Sequence, residues 1–320
     1  MRFWGNLPAI TYFSSYTRNL FIVKKLFCNV LILSGFLIAL GWLPVSCGQK
    51  VTPGSPLPVT VASPATLTTA TGFAPGTTFL PENLIARDAA SDLTARYTDP
   101  TTRYAHGILG DKIEAGGLLV VKAGKRHYYQ LDEQYVFEDL QPRMADVDGD
   151  GQPEFIAIRS SLTQGAGVAI FKIVKDQLVL LAASDFVGMP NRWLNIAAIA
   201  DLDNDGILEI AWVQTPHIGG ISRVAHLVKD RLAVIDQKSG YSNHRIGQRN
   251  LCLSALTTST PLKTLYLPTN DYAAVVGLQL VGGKISEVNK QDKAVDAAKP
   301  LAGQLKLDLL LTDASCVYVP

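Results

Sequence analysis

Two acidic segments of the sequence repeat one pattern of residues. Ala-Asp-Val-Asp-Gly-Asp-Gly-Gln-Pro-Glu occupies positions 145–154, and Ala-Asp-Leu-Asp-Asn-Asp-Gly-Ile-Leu-Glu occupies positions 200–209. In both segments acids stand at loop positions 1, 3, 5 and 9, and glycine stands at position 6. Alternating carboxylates around a sharp turn can surround one hard cation with oxygen, and calcium is the natural candidate. The duplication therefore predicts two calcium-binding loops.

The ligands predicted for each loop are four carboxylates and one backbone carbonyl. They are Asp146, Asp148, Asp150, Glu154 and the Gln152 carbonyl in the first loop, and Asp201, Asp203, Asp205, Glu209 and the Ile207 carbonyl in the second. An EF-hand needs glutamate at position 12, where this chain has Ala157 and Trp212, so the EF-hand class is excluded. The alternative interpretation is a pair of solvated hairpin turns, which Asp-Gly sequences often form.

The residues around the loops indicate strands. Apolar runs follow the two loops directly, at Phe155–Ile158 and Ile210–Val213. Residues 82–320 alternate short Val, Ile, Leu and Tyr runs with Gly, Asn, Asp and Lys turns, a rhythm typical of all-β domains. A short helical turn around Leu84–Ala95 is the expected exception.

The two loops, together with the glycine-then-strand segment Gly165–Phe171, resemble the FG-GAP or VCBS repeat. This repeat is the β-propeller blade unit that also builds the head of integrin α chains. The resemblance covers residues 138–240 and implies a β-propeller. The loops are 55 residues apart, so the predicted domain has room for about four to five blades, with Leu305–Leu311 as a candidate to close the ring. Thr269-Asn270-Asp271 resembles a degenerate loop. The whole chain resembles a bacterial exported protein of this kind, a group without one established activity.

The N-terminal segment has the composition of an export signal or a membrane anchor. Residues 1–46 contain four basic residues and no acid, and a mostly apolar run extends from Leu26 to Val45. Leu43–Cys47 resembles a bacterial lipobox in which Cys47 would be lipidated, although Pro44 departs from that pattern. A lipoprotein, a cleaved secretory signal and an uncleaved anchor remain alternatives, and each would export the rest of the chain.

Composition separates a linker from the domain that follows it. Residues 47–81 are rich in Pro, Thr and Ser and read as a flexible tether, so the folded domain is predicted to occupy residues 82–320. Without the four basic residues of the leader, 25 basic residues face 28 acidic ones. No basic footprint for nucleic acid emerges from this balance.

Polar residues recur before the first strand of successive predicted blades, and we expect them to form a second, ligand-binding ring. They are Arg103, Arg143, Arg192, Trp193, His244 and Arg245. Arginine forks suit carboxylate or phosphate oxygens. The alternative is that these residues satisfy loop backbones and neighbouring acids such as Glu138 and Asp139.

Two cysteines of the predicted domain, Cys252 and Cys316, are either a disulfide pair or two buried thiols. The function that the sequence favours is an exported, calcium-binding scaffold for a protein or a glycan of the cell envelope, tethered to the membrane by its N-terminus or secreted. The alternative is a lyase or a hydrolase that acts on an anionic glycan in the propeller channel, with His244 and Arg245 or Arg192 in that channel.

Overall fold

Short antiparallel strands make up most of the described chain. The computed structural model describes residues 76–257, 262–305, 310–311 and 316. The all-β prediction is confirmed, because the α-helix within these residues amounts to one turn, α1 (Leu301–Gln304).

The strands form four successive meanders of four strands each, and every strand pairs antiparallel with the next one in its meander. The first meander contains β1 (Ala86–Asp88), β2 (Leu93–Thr101), β3 (Glu114–Lys122) and β4 (Lys125–Gln130) and is followed by β5 (Tyr135–Phe137). The second contains β6 (Arg143–Ala145), β7 (Glu154–Ser161), β8 (Gly165–Val174) and β9 (Gln177–Ala183). The third contains β10 (Leu194–Ala200), β11 (Glu209–Gln214), β12 (Ile221–Val228) and β13 (Arg231–Ser239). The fourth contains β14 (Ala255–Thr257), β15 (Thr264–Pro268), β16 (Val275–Val281) and β17 (Lys284–Gln291).

Bridges between meanders join the first three into one 13-stranded sheet. Strand β5 pairs with both β3 and β7, and β9 meets β13 in a single parallel bridge between Ala183 and Arg231. The fourth meander forms a separate five-stranded sheet together with β18 (Leu310–Leu311).

The hydrophobic core lies between successive meanders. One cluster joins the first and second meanders, for example through Leu118 and Phe171. A second cluster joins the second and third meanders and includes Ile170 and Trp212. A third cluster packs the third meander on the fourth. Inner strands such as β7 are buried on both faces, which explains why their sequences are continuously apolar rather than alternating.

Three local expectations are corrected by the structure. Residues 84–95 contain β1 and the start of β2 instead of a helical turn, because alternate residues of β2 point into the core. The C-terminal run was expected to close the ring. Instead, its strand β18 pairs with β14 and extends the sheet of the fourth meander. Thr269–Asp271 belongs to the β15–β16 turn, whereas the acidic loops of the second and third meanders join first to second strands.

The folded part begins earlier than the predicted boundary at residue 82. Gly76 donates its backbone N–H to the Asp99 carboxylate at 3.1 Å, and Phe79 bridges to Thr98 of β2. The end of the predicted linker is therefore part of the domain. The predicted leader, the lipobox at Cys47 and the rest of the linker lie outside the described residues. Within the described part of the chain, no helix has the length and apolar character needed to cross a membrane.

Candidate metal centres

Both acidic loops connect the first strand of a meander to its second strand. The first loop lies between β6 and β7, and the second lies between β10 and β11. Glu154 and Glu209, the last acids of the loops, open β7 and β11 and are only 0% and 1% exposed. Each loop is therefore anchored by a buried carboxylate that belongs to the sheet.

Backbone amides wrap around the carboxylates of the first loop. The Asp146 carboxylate accepts hydrogen bonds from the N–H groups of Asp150 at 3.1 Å and Gly151 at 2.8 Å. Glu154 Oε2 accepts from the Val147 N–H at 2.9 Å. The N–H of Gln152 donates to Asp150 Oδ1 at 2.9 Å. These bonds bend the chain so that its acids converge.

The second loop has the same hydrogen bonds at the corresponding positions. Asp201 accepts from the N–H groups of Asp205 at 3.1 Å and Gly206 at 3.2 Å. Glu209 Oε2 accepts from the Leu202 N–H at 2.7 Å, and the Ile207 N–H donates to Asp205 Oδ1 at 2.7 Å. The repeat in the sequence is therefore also a repeat in backbone conformation.

Glycine at loop position 6 is required by the backbone. Gly151 has φ of 85° and Gly206 has φ of 91°, in the left-handed region that residues with a Cβ atom rarely adopt. No heavy atom of the described residues lies within 4 Å of an added Cβ at either position. Backbone conformation, rather than lack of space, therefore explains the glycine.

Three carboxylates of each loop come close enough to share one ion. Oxygens of Asp146, Asp148 and Glu154 lie within 4.8 Å of one another, and so do those of Asp201, Asp203 and Glu209. Oxygen ligands of this kind suit a hard divalent cation.

Charge crowding is visible in the protonation of the closing glutamate of the second loop. Burial, with the nearby charges of Asp203 and Asp205, raises the pKa of Glu209 to about 7. Its carboxylate is therefore costly to keep charged unless a cation lies beside it.

A lysine neutralises part of the first loop. The ammonium of Lys172 on β8 lies 2.8 Å from Asp150 Oδ2 and 3.0 Å from Glu154 Oε1, and it also contacts Asp148. Although desolvation opposes it, hydrogen bonding to these carboxylates raises the pKa of Lys172. Lys122 of the first meander binds the side chain of Gln152 on the same loop.

The second loop is contacted differently. Lys263 Nζ donates to the Asp201 backbone carbonyl at 2.6 Å and to Asn204 Oδ1 at 3.2 Å. Among the residues that the structure describes, no lysine, arginine or histidine forms an ion pair with the carboxylates of this loop. The carboxylates of the second loop therefore fit a divalent cation, with Asp201, Asp203 and Glu209 as the central donors.

The predicted ligand-binding ring is not assembled as an open site, because three of its members are buried. Arg143 is 1% exposed and forms an ion pair with Asp139. Trp193 is 2% exposed and donates its indole N–H to the Glu138 carbonyl at 2.9 Å. These contacts are the alternative that the sequence left open, in which such residues satisfy backbone groups and neighbouring acids.

His244 is also buried, and both of its ring nitrogens have partners. Its Nε2 lies 2.8 Å from the Gln248 carbonyl, and its Nδ1 lies 2.9 Å from Nε2 of His217. A carbonyl only accepts, so Nε2 of His244 carries the proton and Nδ1 accepts from His217. Burial lowers the pKa of His244 to about 3 and that of His217 to about 4. His244 is thus a neutral structural residue.

The other arginines of the predicted ring lie apart from this buried group. Arg103 donates from Nε to the Tyr135 carbonyl at 3.0 Å, and Arg192 donates to the Asn191 carbonyl at 3.0 Å. Arg245 is exposed and makes no side-chain hydrogen bond or ion pair with any residue that the structure describes. It lines a cavity of about 290 Å³ together with Pro216, His217, Gly219, Ile246, Asn270 and Tyr272.

A buried polar network around Glu138 and Asp139 was not predicted from the sequence as a site. His106 Nδ1 lies 2.6 Å from Glu138 Oε1, and Tyr97 donates its hydroxyl to Asp139 at 3.0 Å. Burial raises the pKa of both acids. The adjacent acids Glu138 and Asp139 were the only hint of this network in the sequence. Their partners Tyr97 and His106 are distant in sequence and are brought to them by the fold.

Cys252 and Cys316, which are 64 residues apart in the chain, form a disulfide bond, the first of the two alternatives that the sequence left open. The bond joins the segment before β14 to the C-terminal segment after β18. It therefore links the chain on the two sides of the five-stranded sheet.

Comparison with known proteins identifies a repeat in the centre of the chain. Residues 141–212, which contain both acidic loops, match a family described as FG-GAP-like repeat. Curated protein sequences give no match.

Two solved structures are similar at low levels. One is the rhamnogalacturonan lyase YesW, with a TM-score of 0.36 and 14% identity over 57% of this chain and 43% of that one. The other is a rhamnogalacturonan lyase of Bacillus licheniformis, with a TM-score of 0.34 and 14% identity over 55% of this chain and 42% of that one. The chain spans less than half the length of either protein, and similarity at this level does not bear on its function.

Proposed function

Because the chain is an FG-GAP repeat-containing protein, we propose that it is a calcium-binding β-propeller of four blades that captures an acidic glycan of the cell envelope. Each four-stranded meander corresponds to one blade, which is the size of blade that propellers use. The cores between successive meanders support this arrangement, since neighbouring blades pack face to face.

Contacts distant in sequence support closure of the ring. The β2–β3 connection of the first meander meets the segment that leads into the fourth. Gly247 donates its N–H to the Ile108 carbonyl at 2.9 Å, and Arg249 pairs with Asp111 at 2.8 Å. A four-bladed ring would need the first blade beside the last in this way.

Calcium is the cation that this proposal assigns to the acidic loops. Clustered carboxylates without soft ligands favour calcium or magnesium, and a flexible ligand set of mixed oxygens favours the larger ion. Its role would be to neutralise the loop and to hold the first two strands of a blade together.

The observation that carries the binding function is the position of Arg245. Its exposed guanidinium lies in the cavity with no ion pair among the described residues, beside Tyr272 and the exposed side chain of Ile246. A guanidinium that lies beside an aromatic and an aliphatic surface, with Asp296 as a nearby acid outside ion-pair distance, suits a uronate sugar, whose carboxylate would pair with it. Strand β11 links this cavity to the second acidic loop, because Glu209 and Gln214 lie at its two ends, about 17 Å apart.

Export and membrane attachment are part of the same proposal. Residues 1–46 would direct export, Cys47 would be the lipidated residue, and the linker would hold the propeller away from the membrane. A partner in the envelope follows from that location.

Binding of the full chain in detergent micelles to polygalacturonate tests the function, with neutral dextran as the reference glycan. We expect Arg245→Gln to weaken polygalacturonate binding about 10- to 100-fold, because a charge-assisted hydrogen bond contributes about 1.5 to 3 kcal/mol. Arg231→Gln, which removes the same charge from an exposed position on β13, should bind like the wild type.

Equal binding by the Arg245→Gln and wild-type proteins, or no binding to the acidic glycan, would contradict the proposal. Cleavage of the polygalacturonate would favour the enzymatic alternative instead. His244 is buried and both of its ring nitrogens are hydrogen-bonded, so it gives that alternative no support.

A further inference from the structure

The two acidic loops differ at one position on the neighbouring strand. Phe171 of β8 pairs with Phe155 of β7. The next position along this antiparallel register places Lys172 opposite Glu154. In the third meander the residue paired with Glu209 is His226 of β12. Opposed residues of antiparallel strands project from the same face. Lys172 and His226 therefore occupy equivalent positions beside their loops.

A second feature of the fold confirms this equivalence. The third strand of each meander shifts register against the fourth strand, between Ile170 and Phe171 in β8 and between Val224 and Ala225 in β12. In each case the residue that faces the closing glutamate follows directly after the shifted pair. The two positions thus correspond in backbone geometry as well as in strand pairing.

Lys172 places its ammonium among the carboxylates of the first loop. It contacts Asp148, Asp150 and Glu154, and its side chain is only 14% exposed. Two of these acids, Asp148 and Glu154, belong to the group of carboxylates that could hold an ion. A divalent cation would need the same oxygens while lying close to a like charge, and the repulsion would be strong at such a distance.

The described residues give the second loop no such internal cation. His226 is partly buried, and within the described part of the chain its side chain forms no hydrogen bond or ion pair with the acids of the loop. Lys263 holds the Asp201 backbone carbonyl and Asn204 rather than the carboxylates. The four acids of this loop therefore depend on an external cation.

We propose that Lys172 is the built-in cation of the first loop, so that the protein binds one calcium ion, at the second loop, rather than two. This inference rests on the proposed calcium function and deepens it. The first loop is complete without metal and fixes the second meander at any calcium concentration. Calcium then acts on the domain only through the third meander, which carries His217 of the cavity.

The number of calcium ions taken up on folding tests this inference. For the full chain in detergent micelles, the free energy of unfolding is measured by urea denaturation at increasing calcium concentrations. This free energy is plotted against RT times the natural logarithm of the calcium concentration. At high calcium, the slope of the plot gives the number of ions bound to the native state. We expect a slope of one ion for the wild type, two for Lys172→Met and none for His226→Lys.

Asp148→Asn and Asp203→Asn are the matched loop variants, and we expect only Asp203→Asn to lose the calcium dependence. A wild-type slope of two, or equal losses in the two variants, would overturn the inference and leave the calcium function intact. A wild-type slope of zero with a slope of one in Lys172→Met would overturn calcium binding at the second loop while supporting the assignment of Lys172. Slopes of zero in both proteins would overturn both.

Discussion

At the scale of single residues, the polar side chains around Trp193 are fixed by specific partners. Trp193, His217 and His244 pack together, with ring centroids of Trp193 and His244 4.7 Å apart. Each buried polar atom that is left without a partner would cost about 1 to 3 kcal/mol. The chain of bonds from His217 through His244 to Gln248 avoids that cost.

Acid should weaken the fold through His244. Its pKa is about 3 in the folded protein, below the ordinary value of 6.5, so below pH 6.5 the unfolded chain binds a proton that the native state excludes. Its contribution to stability is thus present at pH 7 and declines as the pH falls from 6.5 towards 3. Between pH 7 and pH 5 we expect a loss of about 2 kcal/mol from this group.

Urea denaturation of the wild type and of His244→Gln at both pH values measures this contribution. The pH-dependent loss should be about 2 kcal/mol smaller in the variant. Titrating groups that do not touch His244, such as Glu209, are present in both proteins and cancel in the comparison. His217, which donates to His244, can donate to the glutamine amide oxygen in the variant. The same pH dependence in both proteins would contradict a neutral, buried His244.

At the scale of elements, close approach between chain segments explains a glycine of the repeat motif. Gly165 begins β8 with φ of 74°, and a Cβ atom there would lie 2.3 Å from the Met189 carbonyl oxygen. Gly124, in the β3–β4 turn, has nearly the same φ of 76°, but an added Cβ would meet no atom of the described residues within 4 Å. The two glycines differ in crowding and not in conformation.

Alanine substitutions at these two glycines should separate crowding from backbone strain. Gly124→Ala should lower the free energy of unfolding by about 1 to 2 kcal/mol, the cost of a left-handed backbone. Gly165→Ala should lower it by clearly more, because the β8 segment and the segment at residues 189–192 must also move apart. Equal losses in urea denaturation would contradict the contact.

The strands and the acidic loops could be predicted because they depend on local sequence. Apolar runs, turn residues and the spacing of acids are all read within about ten positions, and the structure contains the strands expected at Phe155–Ile158 and Ile210–Val213. The burial of three members of the predicted ligand-binding ring could not be read from local sequence in this way. Whether Arg143 or His244 faces solvent depends on Asp139 and His217, and only tertiary packing supplies those partners.

At the scale of the whole molecule, the four meanders form one chain of dependent units. Each meander shares a core with the next, and the disulfide between Cys252 and Cys316 links the chain before β14 to the segment after β18. A cation that stabilises the third meander should therefore stabilise its neighbours on both sides. Stability of the entire domain then reports binding at a single loop.

The melting temperature of the full chain in about 10 mM calcium and in chelator tests the calcium claim most directly. For a site with a dissociation constant near 1 mM, calcium should add about 1.4 kcal/mol and raise the melting temperature by roughly 3 to 6 °C. Asp203→Asn should abolish this rise. An unchanged melting temperature in the wild type, or an equal rise in Asp203→Asn, would contradict the account.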